Sequence, residues 1–251
     1  MDAYAEIAAY YDGEHQNYRD EFQFYVNLVA SGPVLEVGAG TGLLLRALTD
    51  AGIEVWGVDV SDAMLRRARE RVPHLDSERL IRTSILDLSL DTRFAYVIFP
   101  LNVLWHLDEL HEQAAALTVA RRHLRSDGAI IVALSNPLTL ADRGAAGELR
   151  ERTRWTSDNG LVIVYSAGWD DEARQKLRLH LTYEETSRDA AVTRRHAELS
   201  FRYVYRAELE LMLLAAGFPR TTIYGSFDLD DYSQHSPNLI AVSSLPRQAG
   251  D

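Results

Sequence analysis

The sequence predicts an α/β fold: a mostly parallel sheet covered by helices on both faces, in one domain that carries an antiparallel β insertion. Two observations carry this. Between residues 34 and 135 short apolar strands alternate strictly with helical segments. Strands that are apolar throughout belong in a sheet buried on both faces. After Pro137 the rhythm changes to consecutive strand-like segments separated by turn signals, the pattern of antiparallel pairing.

The elements follow in order. Residues 3–12 and 18–30 read as helices, the second with Phe22, Tyr25, Val26 and Val29 at helical spacing. Gly32-Pro33 ends that pattern, and VLEV (34–37) starts the first strand. A helix opens at Gly42 and stops at Gly52; the second strand, EVWGVD (54–59), follows at once. Ser61 or Asp62 caps the next helix, DAMLRRARERV. The third strand reads RLIRTSI and the fourth YVIFP. A helix over 108–124 leads through a Ser126-Asp127-Gly128 turn to the fifth strand, AIIVALS. Four further strands are expected at RTRWTS, LVIVYSAGW, KLRLHLTYEE and ELSFRYVY, with DNG and WDDEA as turns. A helix over 206–216 and the pair TTIYGSF and NLIAVSS close the chain.

Composition removes several function classes. The chain of 251 residues has 26 basic and 37 acidic side chains, a formal charge of −11. That balance repels phosphate backbones and argues against nucleic acid as a partner. With no cysteine, thiolate catalysis and cysteine-ligated metals are excluded. The N-terminal stretch has acids and no basic region, unlike a signal peptide, and no apolar run reaches a membrane-spanning length. A cytoplasmic protein without a membrane partner is expected.

VLEVGAGTG (34–42) places three glycines at alternate positions after a strand. A dinucleotide fingerprint needs its third glycine where Leu43 stands, and no Gly-Lys-Ser/Thr follows for a phosphate loop. Glu36, at the strand end, would oppose a pyrophosphate but suits a cationic ligand. Asp59, at the end of the second strand, is placed to accept two ribose hydroxyls. A nicotinamide oxidoreductase therefore fails on glycine spacing.

With GVDVSDAML (57–65), FAYVIFPLNVLWHL (94–107) and LRSDGAIIV added, the sequence resembles class I S-adenosylmethionine-dependent methyltransferases of the small-molecule type, including amino-sugar N-methyltransferases. The resemblance implies a Rossmann-like, mostly parallel seven-stranded sheet with an antiparallel last strand, and the β insertion after strand 5. It implies S-adenosylmethionine as cofactor and S-adenosylhomocysteine as product. Glu36, Gly38, Ala39, Gly40 and Gly42 would surround the methionine part, Asp59 the ribose, and Val60 and Met64 the adenine. Pro100 and Leu101 would complete the cofactor shell, and Tyr18 would reach the cofactor carboxylate. Where the family usually carries an adenine-binding Asp, this chain has Ser84, a neutral acceptor, followed by the Ile85 amide.

His106 is the candidate base, just beyond the fourth strand, where ligands bind in open α/β sheets. Tyr11, in the Tyr11-Asp12 pair, is the second candidate catalytic residue. Asn102 and Trp105 are expected at the acceptor. So is the loop 224–238, with Tyr224, Asp228, Tyr232 and His235, helped by Trp155, Trp169 and Tyr183 of the insertion. No metal is expected, since methyl transfer needs none. The other histidines (His15, His74, His111, His123, His180 and His196) read as surface or boundary residues. The organisation expected is a single domain over 1–251, an N-terminal helical lid over 1–30, and an inserted substrate cap over 137–205 that also offers a homodimer surface. The activity expected is methyl transfer to an amine or hydroxyl of a small molecule. A catalytically inactive cofactor-binding protein, or a methyltransferase for protein or nucleic acid, remains as the alternative.

Overall fold

The computed structural model describes residues 2–16, 19–29, 32–140 and 146–245. Its larger sheet has seven strands: β1 (Val34–Val37), β2 (Val55–Asp59), β3 (Leu80–Arg82), β4 (Phe94–Phe99), β5 (Leu124–Ser135), β10 (Arg220–Tyr224) and β11 (Asn238–Ser244). The spatial order is β10-β11-β5-β4-β1-β2-β3. Strands β1 to β5 pair in parallel. Strand β11 runs antiparallel between β5 and β10. The predicted seven-stranded sheet with its antiparallel last strand is therefore the one observed.

Alternate residues of each central strand enter opposite cores. Leu35, Val37, Val97, Phe99, Ile130 and Val132 pack with α5 (Leu110–His123) and α6 (Arg206–Ala215). Val34, Ile98, Ile131 and Ala133 pack with α2 (Arg19–Leu28), α3 (Leu43–Asp50) and α4 (Asp62–Arg71). The period of two along a strand sets this division. At α4 the Ser61 hydroxyl accepts from the Met64 amide at 3.2 Å, which settles the cap in favour of Ser61.

The insertion is a separate antiparallel sheet of β6 (Arg150–Thr156), β7 (Gly160–Asp171), β8 (Lys176–Ser187) and β9 (Val192–Arg202), in sequential order. One face holds Val164, Leu181, Tyr183, Ala197 and Leu199, which pack on Ile7 and Tyr10 from the N-terminal segment. That segment has one short helix, α1 (Ala8–Glu14).

Several boundaries differ from the expectation. Residues 3–7 are turns, and the helix begins at Ala8. Strand β9 starts at Val192, six residues before its apolar segment, because Val192 to Arg195 pair with β8 while staying exposed. Ser126-Asp127-Gly128 is an irregularity inside β5 rather than a turn before it. The third strand stops at Arg82, and Ser84 caps a short 3-10 turn by accepting from the Leu86 amide at 3.2 Å. Among the described residues, no helix is long and apolar enough to cross a membrane.

Candidate active site

The carboxyl ends of β1, β2, β3 and β4 open into one cavity of about 770 Å³, roofed by residues 2–15 and by the inserted sheet. At one end is the glycine loop. Gly38, Gly40 and Gly42 adopt φ of 71°, 54° and 80°, the left-handed region where a Cβ is strained. A Cβ on Gly38 would lie 2.4 Å from Val103, so that glycine lets the loop after β4 close in. A Cβ on Gly40 would project into open space, with only the Gly38 carbonyl near, at 3.9 Å. Gly40 is thus required by backbone shape and leaves its surroundings open to a ligand.

Asp59 binds this loop together. Its two carboxylate oxygens accept from the Gly40 and Ser61 amides, each at 2.8 Å. Burial raises its pKa against the opposing effect of those amides. Glu36 is buried below the loop, and its Oε2 has no hydrogen-bond partner. Burial, followed by the Asp59 charge, holds its carboxyl well above the usual range. The unpartnered Glu36 oxygen and the lone pairs left on Asp59 by its two amide contacts are acceptors that suit a ligand bearing hydroxyl groups, and a cation there would offset the burial that disfavours both carboxylates. Val60, Met64, Ser84, Ile85 and Leu101 also line the cavity. Glu36, Ala39, Gly42 and Pro100, also expected at the cofactor, are not among the lining residues.

Leu101 and Asn102 follow β4 with φ of 48° and 62°. This strained pair is held from both sides. The Asn102 amide exchanges two hydrogen bonds with Ser135, at 2.6 and 3.1 Å. The buried Glu21 carboxyl of α2 accepts from the Leu101 amide and, at 3.3 Å, from the Tyr25 hydroxyl. Burial pushes Glu21 up to about 8.

At the other end, His106 faces Tyr4, whose hydroxyl lies 3.1 Å from Nε2. Phe201 packs on the ring with centroids 4.8 Å apart. Burial pushes His106 down to about 4, against the opposing Asp108 charge. The imidazole is therefore neutral at working pH, and its basicity is far below the unperturbed value on which its candidacy as a base rested. Tyr11 stacks on His15 at 4.0 Å and meets Tyr4 edge-on at 6.1 Å. Its neighbour Asp12 accepts from Thr41 of the glycine loop at 2.5 Å and pairs with Arg71 and Arg67 of α4. Glu14 accepts from the Tyr183 hydroxyl and pairs with Arg152 at 2.9 Å, tying α1 to the inserted sheet.

Several expected acceptor residues lie elsewhere. Trp105 is 2% exposed in the core beside Tyr203 and does not line the cavity. Tyr224, Asp228, Tyr232 and His235 are also outside the lining. Their loop spends its polar groups on itself: Gly225 donates to the Asp230 carbonyl and Ser226 to the Asp230 carboxylate. Tyr232 donates to Asn136 at 2.9 Å. Trp155 packs against Gly13, and Trp169 lies on His180 with 39% exposure; of the three aromatic residues expected from the insertion, Tyr183 lines the cavity. Tyr18 lies outside the described residues.

The sequence reading missed Tyr4, Glu14, His15, Arg152, Leu179, Leu181, Leu199 and Phe201, all of which line the cavity. For the leucines and Phe201 the signal was present as strand alternation, but nothing in it says which face meets the cavity. His15 and His123 were expected as surface or boundary residues; His15 is half-buried at the cavity wall, whereas His123 is buried and bonded to the Leu90 amide and Val119 carbonyl at 3.1 and 2.8 Å.

Comparison with known proteins agrees with this geometry. Residues 34–128 match the family model described as a methyltransferase domain. The chain is similar to a cypemycin N-terminal methyltransferase from Streptomyces sp, with 28% identity over 86% of this chain and 83% of the relative. It is also similar to a dTDP-3-amino-3,6-dideoxy-α-D-glucopyranose N,N-dimethyltransferase from Streptomyces fradiae, with 29% identity over 84% of this chain and 83% of the relative. Among solved structures, the CcbJ methyltransferase from Streptomyces caelestis superposes with a TM-score of 0.80 at 27% identity, covering 97% of this chain and 98% of that one.

Proposed function

We propose that this chain, an S-adenosylmethionine-dependent methyltransferase of the class I family, methylates the nitrogen of a small-molecule amine. One observation carries the reading: a single cavity joins the glycine loop and Asp59 to the neutral Tyr4–His106 pair. The residues at the loop fit the cofactor. Glu36 offers a buried carboxylate oxygen without a partner, and Gly40 leaves its surroundings open. When bound, S-adenosylmethionine supplies a methyl group on a sulfonium whose sulfur leaves as a neutral thioether, so no general acid is needed.

The roles of individual residues belong to this proposal. Gly38 and Gly40, with Ala39 and Gly42 behind them and Glu36 below, hold the methionine part. Asp59 takes the ribose hydroxyls on the lone pairs its two amide contacts leave. Val60, Met64, Ile85 and Leu101 enclose the adenine, and Ser84 stands at its edge. Pro100 backs that wall. Tyr18 is assigned to the cofactor carboxylate on sequence grounds. On the acceptor side, Asn102, Tyr11 and the Tyr4–His106 pair orient the amine.

The nitrogen must arrive with its lone pair free. That lone pair would take the methyl group, and the N–H proton would pass to solvent at the cavity mouth. A His106 with a pKa of about 4 does not hold the proton of an alkylammonium; it accepts a hydrogen bond and orients the nitrogen. Positioning of this kind supplies roughly 7–11 kcal/mol in well-oriented reactions. We assign residues 2–15 as the lid and the inserted sheet as the cap that exclude water. We place a homodimer contact on the outer side of that sheet, which sedimentation would test.

The deciding experiment pairs an amine with its hydroxyl isostere and reads the products by mass. S-adenosylhomocysteine, and not NAD, should stabilise the protein thermally. Methylation of the hydroxyl compound alone would overturn the amine assignment.

A further inference from the structure

The cavity has a charge distribution that discriminates between classes of amine. Its acceptor end is lined by Glu14, Asp108 and Glu198 and, among the described residues, by one arginine, Arg152; the Glu198 carboxylate itself is 58% exposed and pairs with His180 at 3.4 Å, away from the cavity. Without Glu198 the formal balance there is one minus two, or −1. The Arg152 guanidinium is already held by Glu14 at 2.9 Å, and Glu14 is held in turn by the Tyr183 hydroxyl. Asp108 accepts from Ser200 at 2.9 Å, which fixes a second carboxylate near His106. Arg82 also lines the cavity, but at the end of β3, where its Nε meets the Val60 carbonyl at 3.4 Å on the cofactor side.

Proteins hold a diphosphate with helix N-termini, backbone amide nests or bidentate arginines. Of these, the acceptor end has one among the described residues, Arg152, and Glu14 already engages its guanidinium. The α3 N-terminus belongs to the glycine loop at the other end. Desolvation lowers the pKa of both imidazoles lining the acceptor end, His15 and His106, which disfavours positive charge on them. What the inserted sheet offers instead is an apolar wall of Leu179, Leu181, Leu199 and Phe201.

We propose that the acceptor is a phosphate-free amine with an apolar body, and that the carboxylates of the acceptor end exclude nucleoside diphosphate sugars. The carboxylates draw a cationic amine in and repel a diphosphate. The apolar wall carries the rest of the acceptor by burial. This rests on the amine reading above but concerns a different part of the acceptor, so the two fail separately. It also separates this chain from the dTDP-amino-sugar N,N-dimethyltransferase of Streptomyces fradiae among its relatives.

The test uses the full chain saturated with S-adenosylhomocysteine. Titration calorimetry with dTDP should show no saturable binding. Micromolar binding of dTDP would overturn the proposal, whatever the identity of the acceptor. A matched pair then reads catalysis: dTDP-3-amino-3,6-dideoxy-α-D-glucopyranose against the methyl glycoside of the same amino sugar. The glycoside should have the higher kcat/KM, by at least about tenfold, since one like-charge contact in a partly buried site is worth that much. Preference for the nucleotide sugar would overturn the proposal. Methylation of the corresponding hydroxy glycoside and of neither amine would overturn the amine reading instead, while the dTDP titration still judges the phosphate exclusion. Finally, Asp108→Lys should create measurable dTDP affinity, a gain of about tenfold or more. No gain would mean that charge is not what keeps the diphosphate out.

Discussion

The two ends of the cavity are built differently. At the cofactor end the defining hydrogen bonds are local and use main-chain donors. Asp59 takes the Gly40 and Ser61 amides, 19 and 2 residues away. At the acceptor end they are side-chain contacts between distant segments. Tyr4 meets His106 across 102 residues, Arg152 meets Glu14 across 138, and Ser200 meets Asp108 across 92. A main-chain cradle tolerates many side chains as long as glycine permits its φ. A side-chain cradle changes whenever one partner changes. That difference allows one cofactor site to serve many acceptors.

The largest expected effect breaks the cofactor end alone. Asp59→Ala removes the carboxylate that joins the loop to Ser61 and is assigned to the ribose. It should weaken S-adenosylhomocysteine binding by about a hundredfold, near 3 kcal/mol, because two amides also lose a charged acceptor. Calorimetry checks this. Unchanged affinity would mean that the loop holds its shape without Asp59 and that the ribose is bound elsewhere.

The next effect lies at the seam between the two ends, where Glu21 holds the Leu101 amide. Its carboxyl is pushed up to about 8 in the fold and is near 4.3 when unfolded. The folded state therefore keeps a proton that the unfolded chain loses. Its contribution to stability is complete below the unfolded value and is lost as pH rises through about 8. Glu21→Gln should not show that loss. Relative to the parent it should gain stability with rising pH, by roughly 2 kcal/mol or more at pH 9. Denaturant melts at pH 6 and pH 9 would show this. A constant difference between the two pH values would refute an uncharged Glu21.

Two smaller effects concern the acceptor end. His106→Ala should lower kcat about tenfold with cofactor affinity retained. The rise of kcat/KM with pH should persist in the variant, because it follows the amine's own deprotonation rather than an imidazole with a pKa of about 4. A profile that flattens in the variant would restore His106 as a base. Tyr4→Phe removes one hydroxyl from the Nε2 contact and should cost about threefold in kcat, the worth of one neutral hydrogen bond. A change in cofactor affinity and none in kcat would make Tyr4 part of the lid only.

The same division explains what could be read from the sequence. Glu36, Gly38, Gly40 and Asp59 were legible because strand, turn and helix fix their relative positions within a short stretch of chain. His106 was legible as a position beyond β4, but its basicity was not, since burial by Phe201 and the N-terminal segment depends on packing. The loop 224–238, expected at the acceptor, does not line the cavity. Its aromatic and acidic residues mark it as polar and ordered, yet the sequence does not state that Asn136 and its own backbone use them.

By itself the sequence determined the α/β order, the parallel sheet, the glycine loop and the phosphate-free character of the cofactor. Each depends on periodicity, turn chemistry or a charge at a strand end, which are properties of neighbouring residues. Only the tertiary structure decided what lines the cavity opposite the glycine loop. Tyr4, Glu14, Arg152 and the leucines of β8 and β9 meet there because the N-terminal segment packs on the inserted sheet through Ile7 and Tyr10. Contacts between segments more than a hundred residues apart are settled by which apolar faces bury each other, and no local pattern records that pairing.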